Sequence, residues 1–550
     1  MTRGYHAAPA MHIGPRRHVT AALLATVAIA LTPAGARAMA PPDPPQVLPG
    51  DAAAASAGSA ASRWVVGLRP GRAATALASR AGASTILPGG YAVPRAKARS
   101  FAAAARAAGL LVYSEPDRPL HRDAIPLDPL LTARRTYNWR STVVSPDTIP
   151  PPVLPNSPLL AVLDSRIDQT HPEFAGNPNV FAEGVTKIAD GHGTATTAVA
   201  VAPTNGVGIS GVWPGSRAIN LSDPLTCIES AVLIKRAVAM GAATINMSYG
   251  SNSRCFVEYQ AVQFATRSGT IAVASAGNEF NDGNPYEYPA SLPHVVTVAA
   301  TDQNDDPLGF SNANAAVDLS APGVDITTAV PLAFDTRDGK RDGYTKLAGT
   351  SFSAPMVAAA MGWVRQARPD LTPGQVRDTV RLSARDVGRQ GWDPSTGYGV
   401  LDIDAALKFP KPREDPSEPN DDIIWVDGRA FGQPNPPIAD GSKRVSFQAT
   451  LDQYEDPKDV YRVSIPPGAL MRVSAKPVFG DTDLLVYSAS AKVARGSMGM
   501  IGASLNPGIR RDTVAVRNTG RGRKLVYVVA LINGAHNLNS RYALSVSAPL

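Results

Sequence analysis

The run Gly349-Thr350-Ser351-Phe352-Ser353-Ala354-Pro355 leaves a loop and enters the apolar stretch Met356 to Val364. A serine at such a junction stands where a helix begins. There, unpaired backbone N–H groups and the positive end of the helix dipole can meet a developing negative charge. Pro355 is expected in the first helical turn, where a missing N–H costs little. A serine hydroxyl becomes a nucleophile only with a base to take its proton and a group to orient that base. Both types occur upstream. Leu159 to Leu163 is a short apolar run ending in Asp164, which reads as a buried parallel strand with its functional residue at the carboxyl end. Asp190-Gly191-His192-Gly193-Thr194 sets a histidine between glycines, just before the small-residue helical run Ala195 to Ala202. The chain order Asp164, His192, Ser351 is one of three unrelated orders in which such a triad is assembled.

Four separated motifs then carry a family resemblance: Leu163-Asp164-Ser165, Gly191-His192-Gly193-Thr194, Ala276-Gly277-Asn278 and Gly349-Thr350-Ser351-Phe352-Ser353-Ala354-Pro355. In this order they resemble the subtilisin-type (subtilase) serine peptidases, over roughly residues 155–407. The resemblance implies roles. His192 is the general base and then the general acid. Asp164 fixes its tautomer, Ser351 forms the acyl-enzyme, and the Asn278 side chain joins the Ser351 N–H in an oxyanion hole. It also implies that Ser248, Tyr249, Gly250, Ala276 and Gly277 hold an extended substrate by strand pairing, with the glycines leaving room for a side chain. His171, in His171-Pro172-Glu173, resembles a family packing feature. Two departures stand out. Arg166 replaces a usual glycine, where it can narrow the cleft or pair with Asp168, and Ala195-Thr196-Thr197-Ala198 replaces the usual His-Val-Ala-Gly. The plainer readings are a helix cap for Ser351, a loop histidine for His192 and a turn residue for Asn278.

The formal charge of +7 invites a nucleic-acid reading. Residues 1–140, however, hold 17 Lys+Arg against 6 Asp+Glu, a local +11 that leaves −4 for the remainder. No nucleic-acid motif accompanies it, so nucleic acid is excluded as a partner. Arg16, Arg17 and His18, the apolar run Val19 to Leu31, and Ala36-Arg37-Ala38 form a secretory leader over 1–38. The apolar run is short for a membrane span, although an uncleaved anchor is the alternative. The mature chain is therefore expected to be secreted, extracellular, soluble and monomeric. Export permits a Cys227–Cys255 disulfide; the alternative is two separate small core residues. No metal ligand set and no required cofactor are expected. Thr301 to Asp306 and Asp481-Thr482-Asp483 either bind structural calcium or are solvated loop carboxylates.

Composition divides the remaining chain. Residues 39–62 are a Pro-, Ala- and Ser-rich disordered linker. Residues 63–118 alternate strand, helix, strand, helix, strand, as a small α+β unit. Its position resembles that of a subtilase propeptide, implying an intramolecular inhibitor and a precursor. Residues 119–155 are irregular and open the mature enzyme. Asp128-Pro129 and Trp139 lie here, with Arg134-Arg135 as a possible processing point. In 156–407 strands at 159–164, 217–221, 243–248, 270–275 and 294–299 alternate with helices at 193–202, 228–240, 255–268, 351–368 and 373–384. That predicts an α/β domain, a parallel sheet covered on both faces. Residues 408–424 are charged and Pro-rich, a linker. Residues 425–550 show short alternating runs between turns, an all-β sandwich. Glu418-Pro419-Asn420-Asp421 and Asp459-Val460-Tyr461-Arg462 resemble the pre-peptidase C-terminal domain of secreted peptidases. The leading expectation is a secreted serine endopeptidase acting on protein or peptide substrates, whether broad or narrow in its range. The competing one is a degenerate subtilase fold that binds a partner through its β domain.

Overall fold

Apolar runs of five to seven residues, each closed by glycine or a polar turn, set the architecture. The computed structural model describes residues 63–117, 121–122, 137–145, 147–205, 207–415, 417–441, 443–532 and 539–547. The leader (1–38), the linker (39–62), Asp128-Pro129 and Arg134-Arg135 lie outside the described residues. The first unit comprises β1 (Arg63–Leu68), α1 (Arg72–Ala81), β2 (Ser84–Leu87), β3 (Gly90–Pro94), α2 (Arg95–Ala107) and β4 (Leu111–Pro116). Its antiparallel sheet runs β2-β3-β1-β4. Ala74, Ala78, Ala98, Phe101 and Ala105 of the two helices bury Val66, Leu68, Tyr91 and Val93 on one face of that sheet. The other face turns Val65, Val112 and Tyr113 toward the next unit.

After β5 (His121–Arg122) and α3 (Trp139–Val143), the central unit runs through β6 (Leu159–Leu163), β7 (Val180–Gly184), α4 (His192–Val201), β8 (Ala218–Ser222) and α5 (Cys227–Ala239). It continues with β9 (Ala242–Met247), β10 (Tyr249–Gly250), α6 (Phe256–Arg267), β11 (Ile271–Ser275), β12 (Val295–Thr301) and β13 (Leu319–Pro322). The hairpin β14 (Ile326–Ala329) and β15 (Tyr344–Leu347) precedes α7 (Thr350–Ala367), α8 (Pro373–Leu382) and α9 (Ile403–Lys408). The seven-stranded sheet has the order β13-β12-β11-β9-β6-β8-β7, parallel throughout. Helices α4 and α7 cover one face and α5 and α6 the other. The expected α/β class is therefore the observed one. Parallel order sends every central strand's carboxyl end to one edge, where functional residues of such sheets collect.

The last unit comprises α10 (Ile423–Val426), β16 (Val445–Asp452), β17 (Lys458–Ile465), β18 (Leu470–Phe479), β19 (Thr482–Ser488), β20 (Met500–Ser504), β21 (Asp512–Arg517), β22 (Lys524–Ile532) and β23 (Asn539–Ser547). Two antiparallel sheets, β16-β23-β18-β21 and β17-β22-β19-β20, share one core. The stretch expected as a linker, 408–424, is not loose at its end. Asn420, Asp421 and Asp422 are buried, and Trp425 stacks on Phe256 of α6 with ring centroids 5.9 Å apart. Its charge suggested solvation, and Lys411, Arg413 and Glu414 are indeed exposed, yet Asp421 is turned inward and accepts from Gln263 Nε2 of α6 at 3.1 Å.

Candidate active site

Asp164 follows the last residue of β6 and is buried. Its carboxylate accepts from Ser165 N at 2.6 Å and from Thr196 Oγ1 at 3.1 Å. His192, the first residue of α4, brings Nδ1 to 2.8 Å and 2.9 Å from the two Asp164 oxygens. Nδ1–H donating to a carboxylate assigns the tautomer that makes Nε2 the basic nitrogen. Asp190 accepts from His192 N at 2.9 Å and from Ser165 Oγ at 2.5 Å. Gly193 N donates back to Ser165 Oγ at 2.8 Å. The end of β6 and the start of α4 are thus bonded as one piece. Gly193 must be glycine here, because a Cβ would sit 1.9 Å from the Ser165 carbonyl oxygen.

Thr196, a departure from the family pattern rather than an expected site residue, joins the site. It is four residues beyond His192, on the same face of α4, and this spacing was the available signal. The unusual Thr196 of this chain thus supplies an extra donor to the Asp164 carboxylate. Arg166 donates to Gln169 Oε1 at 3.1 Å rather than pairing with Asp168, whose carboxylate accepts from Thr170. His171 accepts from Glu173 N and bonds the Gly343 carbonyl at 2.9 Å, in a buried packing role.

Ser351 is the second residue of α7, so its N–H is among those with no partner inside the helix. The neighbouring Phe352 ring lies 5.9 Å from the His192 ring, centroid to centroid. Ser351 Oγ is buried and makes no hydrogen bond among the described residues. Pro355 stands past the first turn, not within it as expected. Its missing N–H leaves the Ser351 carbonyl, four residues back, without a helical partner. Ser248 Oγ donates to that carbonyl at 2.9 Å. The structure therefore gives Ser248 a supporting place beneath the serine.

Asn278 follows the left-handed Gly277 (φ 101°) at the end of β11. Its Oδ1 accepts from Thr350 N at 2.9 Å, so its amide is assigned with Nδ2 as the remaining donor group. A Cβ at Gly349 would be 3.5 Å from that Nδ2, which places the amide beside the serine turn. Ala276 is buried. Tyr249 and Gly250 form β10, which pairs antiparallel with the chain's own β5, Tyr249 opposite Arg122 and Gly250 opposite His121. Cys227 and Cys255 are joined as a disulfide beneath this edge.

The first unit is fastened beside the site. Glu115 accepts from Val257 N at 2.9 Å, at the start of α6, and Asp117 accepts from Ile228 N at 2.9 Å, at the start of α5. Carboxylates at helix N-termini complete unpaired donors and complement the dipole. Arg63 spans to Asp117 at 3.0 Å and to Glu229 at 2.5 Å.

Side chains with metal-binding chemistry gather elsewhere. Among the described residues, His294, Glu418 and Asp421 form one such group and Asp415, Asp456 and Asp459 another, both at the junction of the central and last units. A third, Glu115 with Cys227 and Cys255, has its sulfurs in the disulfide. The Asp302 carboxylate closes its own turn by accepting from Asn304 and Asp306 N–H groups.

The family model that matches residues 156–399 is that of the Subtilase family. Subtilisin Savinase of Lederbergia lenta is 31% identical over 257 residues, spanning 45% of this chain and 90% of that protein. The chain belongs to the subtilase family. Fervidolysin of Fervidobacterium pennivorans is 30% identical over 316 residues, 50% of this chain and 44% of that protein. A probable subtilase-type serine protease of Deinococcus radiodurans is 36% identical over 230 residues, 39% of this chain and 31% of that one. The chain thus matches less than half the length of these last two relatives. The crystal structure of fervidolysin, a keratinolytic enzyme related to subtilisin, shares the fold across 84% of this chain and 86% of its own, with TM-score 0.55 and 19% identity. Among the described residues no helix of this subtilase is long and apolar enough to cross a membrane.

Proposed function

We propose that this subtilase is a serine endopeptidase, exported and made as a precursor whose first unit inhibits it until removed. The observation that carries this reading is the buried Asp164–His192 pair at 2.8 Å, whose imidazole lies 5.9 Å, centroid to centroid, from the ring of Phe352, the residue after Ser351. In the reaction Ser351 Oγ attacks the scissile carbonyl while His192 Nε2 takes its proton. Asp164 stabilises the imidazolium, and His192 then protonates the leaving amine. The resulting acyl-enzyme is hydrolysed by water through the same base. Negative charge on the tetrahedral intermediate meets the Asn278 amide and the Ser351 N–H. Loss of one such donor costs about 3 kcal/mol in subtilisin itself. The chemistry needs no cofactor or metal.

The pairing of β5 with β10 supports the zymogen reading. A segment of the chain lies on the strand edge that a substrate would use, as an added antiparallel strand. The position of that segment directly after β4 ties it to the first unit. Labelling of purified mature protein with a fluorophosphonate probe tests the proposal. Wild type should label and cleave peptides, and Ser351→Ala should do neither, with a loss on the order of 10⁶-fold, as known from subtilisin. Absence of labelling in folded, mature protein would instead support a binding scaffold. N-terminal sequencing of secreted material should find the first unit removed.

A further inference from the structure

The two glycine walls of the specificity pocket enclose acid. A Cβ built on Gly250 would lie 2.5 Å from Glu287 Oε2. One built on Gly277 would lie 2.3 Å from Asn312 Nδ2, 2.7 Å from Glu287 Cγ and 2.8 Å from Glu279 Oε2. Glu287 therefore stands between the two walls, and it is 1% exposed. Glu279 reaches the same space while its Oε2 accepts from Asn278 N at 2.7 Å. The segment that carries Glu287 is fixed, because Tyr288 exchanges backbone hydrogen bonds with Ser251 at 2.8 Å and 2.9 Å, immediately after β10. A second observation marks this edge as a peptide site, the seating of β5 on β10. That pairing sets Arg122 opposite Tyr249, the residue after Ser248, whose Oγ holds the Ser351 carbonyl.

We propose that Glu287, assisted by Glu279, makes this pocket select a basic residue, arginine or lysine, before the scissile bond. The inference rests on the peptidase reading above. A pocket floored by carboxylates is a poor host for an apolar side chain, which brings a buried carboxylate no counter-charge. A guanidinium or ammonium on a long apolar stem fits the same slot, with the stem along the glycine walls and the cation on the carboxylate. The nearby Arg254, whose guanidinium lies 5.2 Å from the Tyr288 ring centroid, is the cation an incoming side chain would join or displace.

The test compares kcat/KM on matched peptides that differ only in arginine, lysine, phenylalanine, leucine or alanine before the scissile bond. Wild-type mature enzyme should favour arginine or lysine over phenylalanine by at least about tenfold. In Glu287→Gln that ratio should fall at least about tenfold, and in Glu279→Gln by less. Fluorophosphonate labelling of wild type, which needs no pocket occupant, separates the two readings. Labelling together with a preference for phenylalanine, leucine or alanine overturns the pocket proposal and leaves the peptidase standing. A wild-type preference for basic residues that Glu287→Gln leaves unchanged also overturns it. Where Glu287→Gln fails to fold, the wild-type ratio and Glu279→Gln decide.

Discussion

Two units flank the central sheet, and both rest on helix α6, yet they are attached by different physics. The first unit touches its partner through an apolar patch around Val65, Val112 and Tyr113 and through carboxylates that meet helix N-termini. The cation that joins these carboxylates, Arg63, is partly exposed. The last unit is attached through groups taken wholly out of water. His294 N donates to Glu455 Oε2 at 3.1 Å and the Tyr454 hydroxyl donates to the Ser291 carbonyl at 2.8 Å, all buried. Beneath them, within the central unit, buried Arg381 donates to buried Asp318 at 2.6 Å. His294 accepts from Arg377 on one nitrogen and reaches Asp421 at 3.1 Å with the other. Burial, and then mutual repulsion, push the carboxyls of Glu418 and Asp456 well above the usual range. Gln260 of α6 touches both neighbours, accepting from Tyr113 at 2.9 Å and donating to the Ala430 carbonyl at 2.9 Å. One attachment uses contacts that water can replace, and the other uses contacts that cannot be opened without exposing unpaired charge. That contrast suits a unit built to leave and a unit built to stay.

The largest effect is expected where charge is most deeply buried. Arg381→Met leaves Asp318 in the interior without its cation, although Thr297 N still donates to it at 2.9 Å. Breaking one half of a buried pair costs about 3–5 kcal/mol. Thermal unfolding of the mature enzyme should show a clear loss of Tm, and a change of less than about 2 °C would mean that the buried Arg381–Asp318 pair beneath the junction is not stabilising.

A smaller, pH-dependent effect is expected under the cleft. Glu258 of α6 is fully buried; Ser230 Oγ donates to it at 2.5 Å and also contacts the Tyr249 hydroxyl. Burial pushes its carboxyl up to about 8, against partial relief from Ser230 and with a further push from Glu115. The native state therefore holds a proton that the unfolded chain has released. Stability is full below the ordinary carboxylate pKa of about 4.5 and falls as pH rises toward 8, by at most about 1.4 kcal/mol per pH unit. Glu258→Gln cannot ionise, so its stability relative to wild type should improve steadily from pH 5 to pH 8. Parallel stability curves for the two proteins across that range would refute the assignment.

These two regions also differ in how plainly the sequence announces them. Asp164, His192, Ser351 and Asn278 each stand where a strand ends or a helix begins, bounded by glycine or small residues, and such junctions are local. The apolar runs of β6, β8, β9, β11 and β12 were legible for the same reason. The edge strand β7 was not, since its exposed Phe181 and Glu183 break the buried pattern. Glu287 shows no local sign either. It reaches the pocket only because Tyr288 pairs with Ser251 across the fold. The acidic run from Asp415 to Asp422 read as a solvated linker because composition does not reveal which long-range partners will cover it. His294 and Arg377 arrive from other elements.

The smallest effect tests the attachment of the first unit, the one that the proposed precursor would release. Asp117→Ala, in a full chain that also carries Ser351→Ala to prevent processing, removes the acceptor of the Ile228 N–H and one partner of Arg63. A carboxylate at a helix N-terminus contributes about 1 kcal/mol, more when partly buried, so the first unit should loosen without unfolding. Hydrogen exchange at the Ile228 amide should then quicken by roughly tenfold, a change of about 1.4 kcal/mol. The amide of Thr297, beside Arg381 and Asp318, should be unaffected. If Thr297 quickened as much as Ile228, the two flanking units would be coupled through α6, and Gln260, which touches both, would be the first residue to change.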